Sequence, residues 1–366
     1  MPSNSTDAAK RGSGWLNLLV GAMVTAALFA LIEGGASVLM SVRTAKHDLR
    51  MQEEKHVRYD AELGWSNVPG LRIEGMYEGK GTFTTNSQGF RATATFDKAV
   101  PPGKFRVIAL GDSFTMGFGV GDESTYAAQM QSLCPALQTV NMGQGGYGLD
   151  QNYLWYKRDG TRLESDMLLF AVIAHDFYRM ESDNFIGYGK PVLRVRNNAL
   201  VVENVPPPKW NTRTSVRRVR AFFESLALVR LGRWLVGGVP APADRFYAAA
   251  SERVLAAAEL AYDDLAQLTR ARGQRLVLAY LPTNDLLARE PTREAAWLED
   301  YARRKGLAFV NVAADFIKLT PAEIARMYRW DYHYTEEGNR LVARSMLRQL
   351  GAKVGDFPAC AEAPAR

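Results

Sequence analysis

The stretch 105–117, FRVIALGDSFTMG, decides the fold and supplies the first candidate for chemistry. Its apolar run ends at Gly111 and is typical of a buried parallel strand. Ser113 follows the turn Gly111-Asp112, so we expect it at the carboxyl end of that strand, where open α/β sheets bind ligands. Serine is also a preferred helix N-cap. Taken alone, Ser113 therefore indicates a cap, and only a matching acid and histidine elsewhere favour catalysis.

That acid and histidine stand near the end of the chain, in the stretch 330–338, WDYHYTEEG. Asp331 and His333 are two residues apart, on a segment expected to be a loop before the last helix. In such a loop the carboxylate can orient the imidazole and stabilise the cation formed when the ring takes a proton. His333 would take the proton of Ser113. An Asp-x-His pair alone is more often a surface turn, so its weight comes from its coincidence with Ser113.

A serine that cleaves esters also needs hydrogen-bond donors directed at the oxyanion. Three candidates follow successive predicted strands: the N–H of Ser113, the N–H of Gly146 and the side chain of His175. Glycine at 146 lets the backbone approach a ligand closely, although an ordinary left-handed turn also fits.

Strand-like and helix-like segments alternate between residues 105 and 350. The apolar runs 167–173 (MLLFAVI) and 275–281 (RLVLAYL) predict buried strands, and the alanine-rich stretch 248–271 predicts a long helix. This alternation predicts a mostly parallel sheet covered by helices on both faces.

The N-terminal region predicts one transmembrane helix. Residues 15–42 contain an apolar run long enough to cross a bilayer, with Glu33 as its only charge before Arg43. A cleaved signal peptide is the alternative, but the run is longer than usual and no clean cleavage site follows. Lys10 and Arg11 favour a cytoplasmic N-terminus and therefore an extracytoplasmic body, although basic residues beyond the helix weaken that argument.

Composition excludes some function classes. The 366 residues carry a formal net charge of +6, which is mild, and no nucleic-acid-binding motif appears. Cys134 and Cys360 lack metal-ligand spacing; they would pair in an oxidising compartment and stay thiols elsewhere. His47 and His56 lie in a polar stretch near the membrane and are expected to be solvated. No metal or organic cofactor is predicted.

These features divide the chain into five predicted segments. They are an N-terminal tail (1–14), a membrane anchor (15–42), a stalk with a small β-rich preface (43–104), an α/β body (105–350) and a C-terminal tail (351–366). The body contains an insertion at about 177–245. Its stretch 210–237 is basic and amphipathic, which fits a lid over an anionic substrate, a patch on the membrane surface, or an ordinary packed helix.

Four blocks of this sequence resemble those of the SGNH (GDSL) hydrolase superfamily. The blocks are Gly111-Asp112-Ser113-Phe114, residues 141–146, Ala174-His175-Asp176, and Asp331 with His333. The resemblance implies a flavodoxin-like three-layer α/β/α fold with a parallel central sheet. It also implies a Ser113–His333–Asp331 triad with an oxyanion hole made by Ser113, Gly146 and His175.

Two departures from the family pattern stand out. His175 replaces the usual asparagine of the third block, and an imidazole donates to an oxyanion only when the ring nitrogen that faces it carries a proton. The last block has one residue between acid and histidine instead of two, which weakens the role of Asp331 more than that of His333. His175 as general base is a lesser alternative.

The resulting hypothesis is a membrane-anchored serine esterase acting on O-acyl, and specifically O-acetyl, esters. Analogy with anchored relatives suggests a cell-envelope or exported polysaccharide as substrate. The alternatives are an O-acetyltransferase that uses the same triad and a catalytically silent glycan-binding scaffold. The expected partners are an O-acylated small molecule or glycan and the membrane, with no nucleic acid; the sequence names no protein partner.

Overall fold

The computed structural model describes residues 17–35, 55–77, 80–209 and 250–360. The chain divides into two units, Met1–Met51 with Thr212–Asp244 and Gln52–Asn211 with Arg245–Arg366. The predicted basic stretch 210–237, His47 and the tail 1–14 lie outside the described residues.

In the first unit the structure describes one helix, α1 (Asn17–Gly35). It is long and apolar enough to cross a bilayer, and it lies within the predicted anchor. A signal sequence near an N-terminus passes the same test, so α1 qualifies as an anchor or as a signal segment.

The second unit begins with two antiparallel hairpins. In the first, β1 (Val57–Asp60) pairs with β2 (Gly64–Asn67); in the second, β3 (Arg72–Tyr77) pairs with β4 (Lys80–Thr84). Glycines punctuate this region as turn residues, which is why its sequence predicts short strands.

His56, expected to be solvated, is fully buried at the start of this region. Its Nδ1 lies 3.1 Å from Asn67 Oδ1, and its ring centroid lies 4.6 Å from that of Phe83 on β4. The prediction was wrong because the polar neighbours of His56 in sequence are not its neighbours in space, where both hairpins cover it.

The remaining elements carry the α/β body and the described part of its insertion. The strands are β5 (Phe105–Gly111), β6 (Leu137–Gly143), β7 (Met167–Val172), β8 (Asn184–Phe185), β9 (Tyr188–Gly189), β10 (Val192–Arg196), β11 (Ala199–Glu203), β12 (Arg275–Tyr280) and β13 (Ala308–Asn311). The helices are α2 (Ser113–Met116), α3 (Tyr126–Leu133), α4 (Leu149–Arg158), α5 (Ala174–Arg179), α6 (Glu252–Ala271), α7 (Arg293–Lys305), α8 (Ala313–Phe316), α9 (Pro321–Met327) and α10 (Glu336–Lys353).

Five strands form a parallel sheet in the order β13-β12-β7-β5-β6. Numbered along the chain, this is the 2-1-3-4-5 order of flavodoxin-like folds. Successive side chains of β5 face opposite layers: Val107 and Ala109 pack with α3 and α10, whereas Ile108 and Leu110 pack with α4, α6 and α7. The predicted three-layer α/β fold is therefore confirmed.

The described part of the insertion contains two further hairpins that the sequence did not predict, β8 with β9 and β10 with β11. At the other end of the body, Cys134 and Cys360 form a disulfide with their Cα atoms 4.9 Å apart. The pairing left open by the sequence therefore exists, and it fastens the chain beyond α10 to the end of α3.

Candidate active site

The serine turn is a tight connection between β5 and α2. Asp112, and not Ser113, is the N-cap of α2, because its Oδ1 accepts a hydrogen bond of 2.9 Å from the backbone N–H of Phe114. A Cβ on Gly111 would lie 2.1 Å from Thr115 Oγ1 and 2.5 Å from the Ala171 carbonyl oxygen, so the turn requires glycine there. The capping role that Ser113 offered in the sequence is thus already filled, which leaves its hydroxyl available for chemistry.

His333 reaches this hydroxyl from the other end of the chain. Its Nε2 lies 2.8 Å from Ser113 Oγ. The imidazole also contacts two rings of the segment that follows the serine, with centroids 4.9 Å from Phe114 and 4.6 Å from Phe118. These contacts hold the ring in the orientation needed to accept the serine proton.

Asp331 stands behind His333 without forming a well-aligned side-chain hydrogen bond to it. Asp331 Oδ1 lies 3.4 Å from His333 Nδ1, an ion-pair distance, and also accepts a bond of 3.2 Å from the backbone N–H of His333. Tyr332 between them has φ +69°, which bends the chain so that both side chains share one side. Because only Tyr332 separates the two residues, Oδ1 of Asp331 faces both Nδ1 and the backbone N–H of His333.

Arg329 completes this loop and was missed by the sequence argument. Its Nε lies 3.4 Å from Asp331 Oδ2, and its Nη1 donates to the Gly119 carbonyl over 2.9 Å. Burial raises the pKa of Asp331, but the contacts with His333 and the charge of Arg329 outweigh it, so the pKa lies below its usual value. The position of Arg329, two residues before Asp331, was the available signal.

Gly146 lies in the loop between β6 and α4 with φ +74°. A Cβ at this position would lie 2.3 Å from the ring of Phe185, so both the backbone conformation and the close approach require glycine. The start of the loop is fixed to the serine strand by the bond of 3.1 Å from Gln144 N–H to the Gly111 carbonyl.

His175 lies in the first turn of α5, directly after β7. Its Nε2 is 3.3 Å from Oδ2 of Asp285, which follows β12. The structure therefore gives the predicted third oxyanion donor a carboxylate partner that the sequence argument did not foresee. Direct contacts join Ser113, His333 and Asp331, while Gly146 and His175 lie on neighbouring connections at the carboxyl edge of the same sheet.

No group of three or more His, Cys, Asp or Glu side chains able to hold a metal ion occurs within the described ranges.

The protein is similar to known proteins in structure. No family model matches the sequence, and no curated protein matches it. The chain is similar to solved structures of the lipolytic G-D-S-L family. One is a family member from Veillonella parvula, with 12% identity, a TM-score of 0.38, and coverage of 67% of this chain and 97% of the other.

A second similar structure is a catalytic mutant of Axe2, an acetylxylan esterase from Geobacillus stearothermophilus, with 16% identity and a TM-score of 0.40 over 69% of this chain and 97% of Axe2. A third is LAE5, an α/β hydrolase from the metagenome of Lake Arreo, with 17% identity and a TM-score of 0.40 over 68% and 95%.

Proposed function

We propose that this protein is a serine esterase of the SGNH type that hydrolyses O-acyl esters. One observation carries the proposal: Ser113 Oγ and His333 Nε2 lie 2.8 Å apart although 220 residues separate them in sequence. A hydroxyl at hydrogen-bond distance from an imidazole, with a carboxylate on the far side of the ring, is the arrangement that activates serine as a nucleophile.

In the proposed reaction Ser113 Oγ attacks the acyl carbon while its proton passes to His333 Nε2. Collapse of the tetrahedral intermediate breaks the ester C–O bond, and His333 gives the proton to the departing alcohol oxygen. Water then attacks the acyl carbon of the acyl-serine while its proton passes to His333 Nε2. Collapse of this second intermediate breaks the bond between the acyl carbon and Ser113 Oγ, and His333 returns the proton to Oγ, which releases the carboxylic acid and restores Ser113. The carboxylate of Asp331 stabilises the imidazolium form of His333 in both halves.

The negative charge of each intermediate requires donors, and we assign them to Ser113 N–H, Gly146 N–H and His175. Asp285 faces Nε2 of His175, which favours a proton on that nitrogen. His175 can then donate through Nδ1 only as the imidazolium cation. This is a stricter condition than the amide of the usual asparagine imposes.

The proposed substrate class is an O-acetylated glycan. Support comes from two exposed aromatic side chains on the Asp331 loop, Trp330 and Tyr332, whose exposed fractions are 46% and 54%. Large exposed apolar side chains beside a reactive centre mark a binding surface, and flat rings suit the apolar faces of sugars.

We place the catalytic unit outside the cytoplasm, attached through α1. The disulfide between Cys134 and Cys360 supports this location, because disulfides persist in oxidising compartments. The length and apolar character of α1 support attachment to the membrane. A topology reporter fused after residue 366 should be active on the extracytoplasmic side; cytoplasmic activity would contradict the placement.

The decisive test uses the full chain in detergent, with a fluorophosphonate probe and p-nitrophenyl acetate. Wild type should be labelled and should release nitrophenol, and Ser113→Ala should lose both signals. Ser87→Ala, a change at an exposed serine, should keep both. A folded wild type that shows neither labelling nor turnover would contradict the esterase proposal. Assays with acetylated xylan and a free glycan acceptor would then separate acetate release from acetyl transfer.

A further inference from the structure

We infer that Arg179 is a positioning residue for the proposed serine chemistry, and that it both fixes the glycine loop against the serine turn and neutralises the carboxylate next to the nucleophile. The inference rests on the proposed function but goes beyond it, because none of the four sequence blocks contains Arg179.

One guanidinium nitrogen of Arg179 contacts three separate segments of the site. Arg179 Nη1 donates to Asp112 Oδ2 over 2.9 Å, to the Tyr147 carbonyl over 2.9 Å and to Asp176 Oδ1 over 2.6 Å. These acceptors belong to the serine turn, the glycine loop and the first turn of α5, so the side chain joins three connections that follow three neighbouring strands.

Arg179 holds the far end of the glycine loop together with the Tyr147 N–H bond to the Gln144 carbonyl and the Trp65 Nε1 bond to the Gly145 carbonyl. The loop is fixed at its start by Gln144 N–H, which donates to the carbonyl of Gly111. Its far end is fixed by the Arg179 bond to Tyr147, the residue directly after Gly146. The guanidinium also lies over the ring of Phe185, 5.2 Å from its centroid, and that ring covers Gly146. The separation between the N–H groups of Ser113 and Gly146 therefore depends in part on this side chain, which is the contact that ties the loop to the Asp112 carboxylate.

Arg179 also offsets the negative charge of the Asp112 carboxylate next to the nucleophile. Asp112 is 1% exposed, and its Oδ2 lies 3.4 Å from Ser113 Oγ. A buried carboxylate at that distance opposes negative charge on the serine and on the oxyanion, and it competes with His333 for the serine proton. Arg179 binds the same Oδ2 oxygen, which offsets the negative charge and lowers its strength as an acceptor.

Asp176 does not replace Asp112 as the charged partner of Arg179. It is fully buried, and burial together with the negative charge of Asp112 raises its pKa well above the usual value. Its Oδ2 accepts the backbone N–H of Ile173 over 3.1 Å, so its role is to fix the start of α5. The ion pair that matters for the nucleophile is therefore Arg179 with Asp112.

Arg179 is held in place through its own backbone. Its carbonyl accepts a bond of 3.0 Å from Lys190 Nζ, and the ammonium of Lys190 also pairs with Asp150 Oδ2 at 2.5 Å. Both side chains of this pair are fully buried, and Asp150 lies in the first turn of α4. The guanidinium is therefore supported from the helix that follows the glycine loop.

The test measures kcat and KM of the full chain in detergent on p-nitrophenyl acetate. Arg179→Met keeps the apolar stem and should lower kcat about 10²-fold, the size of a lost oxyanion donor, with KM changed less than about threefold. Arg179→Lys keeps the charge without the guanidinium geometry and should lose about tenfold. Arg162→Met, the same type of change at an arginine with a 74% exposed side chain, should stay within about twofold of wild type.

A double variant separates this role from a merely structural one. Asp112→Asn removes the carboxylate charge but keeps an N-cap side chain. In the Arg179→Met background it should raise kcat about tenfold above the single variant, although it restores no packing contact. If Arg179→Met does not fold, the same gain from Asp112→Asn is measured in the Arg179→Gln background, where the charge is likewise removed.

The outcomes distinguish the two proposals. Wild-type kcat in a folded Arg179→Met or Arg179→Lys variant, beside a wild type whose turnover depends on Ser113, would overturn this inference alone. No gain from Asp112→Asn would overturn the charge argument. Absence of Ser113-dependent turnover in wild type would overturn both proposals.

Discussion

Among the described residues, two histidine–carboxylate pairs lie at the carboxyl edge of the five-stranded sheet, and one of them contacts the serine. His333 Nδ1 lies 3.4 Å from Asp331 Oδ1, and His175 Nε2 lies 3.3 Å from Asp285 Oδ2. The two histidine side chains are 15% and 17% exposed. Pairing with an acid therefore does not identify the general base; the 2.8 Å contact with Ser113 Oγ does.

The two carboxylates differ more than the two rings. Asp331 is almost fully buried, receives a backbone N–H and lies beside Arg329, whereas the Asp285 side chain is 18% exposed. A buried, anchored carboxylate stabilises a neighbouring cation more strongly than one screened by solvent. The pair that contacts the nucleophile is thus the pair whose carboxylate is more deeply buried.

The largest effect should come from His333→Ala. Removing the general base should lower kcat by about 10⁴- to 10⁶-fold on p-nitrophenyl acetate, because Ser113 then has no proton acceptor in place. Steady-state kinetics and probe labelling measure it. A loss below about tenfold would indicate that His175 serves as the base and would reverse the comparison.

Asp331→Asn should have an intermediate effect on kcat, about 10²-fold. We expect a smaller loss than in a well-aligned triad because Asp331 Oδ1 lies 3.4 Å from His333 Nδ1 and also accepts the backbone N–H of His333. Arg329→Lys is the matched control and should lose less, because a charge remains beside the Asp331 carboxylate. A loss of 10⁴-fold or more would show that the carboxylate realigns when substrate binds.

Asp331→Asn should also change how the free energy of unfolding depends on pH. The pKa of Asp331 is lowered in the folded chain, since the His333 contacts and Arg329 outweigh burial. Its contribution to the free energy of unfolding is present above the unfolded-state pKa, about 3.9, and is lost as pH falls through the lower folded value. Wild type should therefore exceed Asp331→Asn in melting temperature at pH 7, with the gap closing toward pH 3. A gap that widens on acidification would contradict this assignment.

The smallest effect on turnover should come from His175→Ala, a loss of about 10- to 10²-fold in kcat. This loss is at or below the range of about 10²- to 10³-fold for one oxyanion donor because the ring nitrogen paired with Asp285 is not free to donate. His175→Asn introduces an amide that donates without having to be protonated, so it should keep more activity than His175→Ala. Equal activity of wild type and His175→Ala would assign the His175–Asp285 pair to structure alone.

Sequence reasoning reached the sheet and the three contacting residues because both depend on patterns along the chain. Parallel strands read as continuous apolar runs, and the residues after them meet at one edge whatever their distance in sequence. Ser113 and His333 follow from that rule. It also placed Gly146 and His175 at the same edge, although it said nothing about Asp285.

What the sequence did not reveal depends on partners that lie far apart along the chain. Arg179 resembles any other arginine of this basic chain until its acceptors are known, and Arg329 stands out only by its place two residues before Asp331. His56 looked solvated among charged neighbours but is covered by Phe83. The state of Cys134 and Cys360 could not be read from a separation of 226 residues, because only folding brings their Cα atoms within 4.9 Å.

The 220-residue separation of Ser113 and His333 has a consequence for the time at which the protein becomes chemically active. At a synthesis rate of about 5 to 20 residues per second, the nucleophile emerges roughly 10 to 40 seconds before its base. Under the proposed mechanism the Ser113 hydroxyl therefore stays an ordinary alcohol while the polypeptide is made. On that mechanism, reactivity begins only when the last strand and α10 have docked, so a nascent chain that lacks them does not yet act on esters.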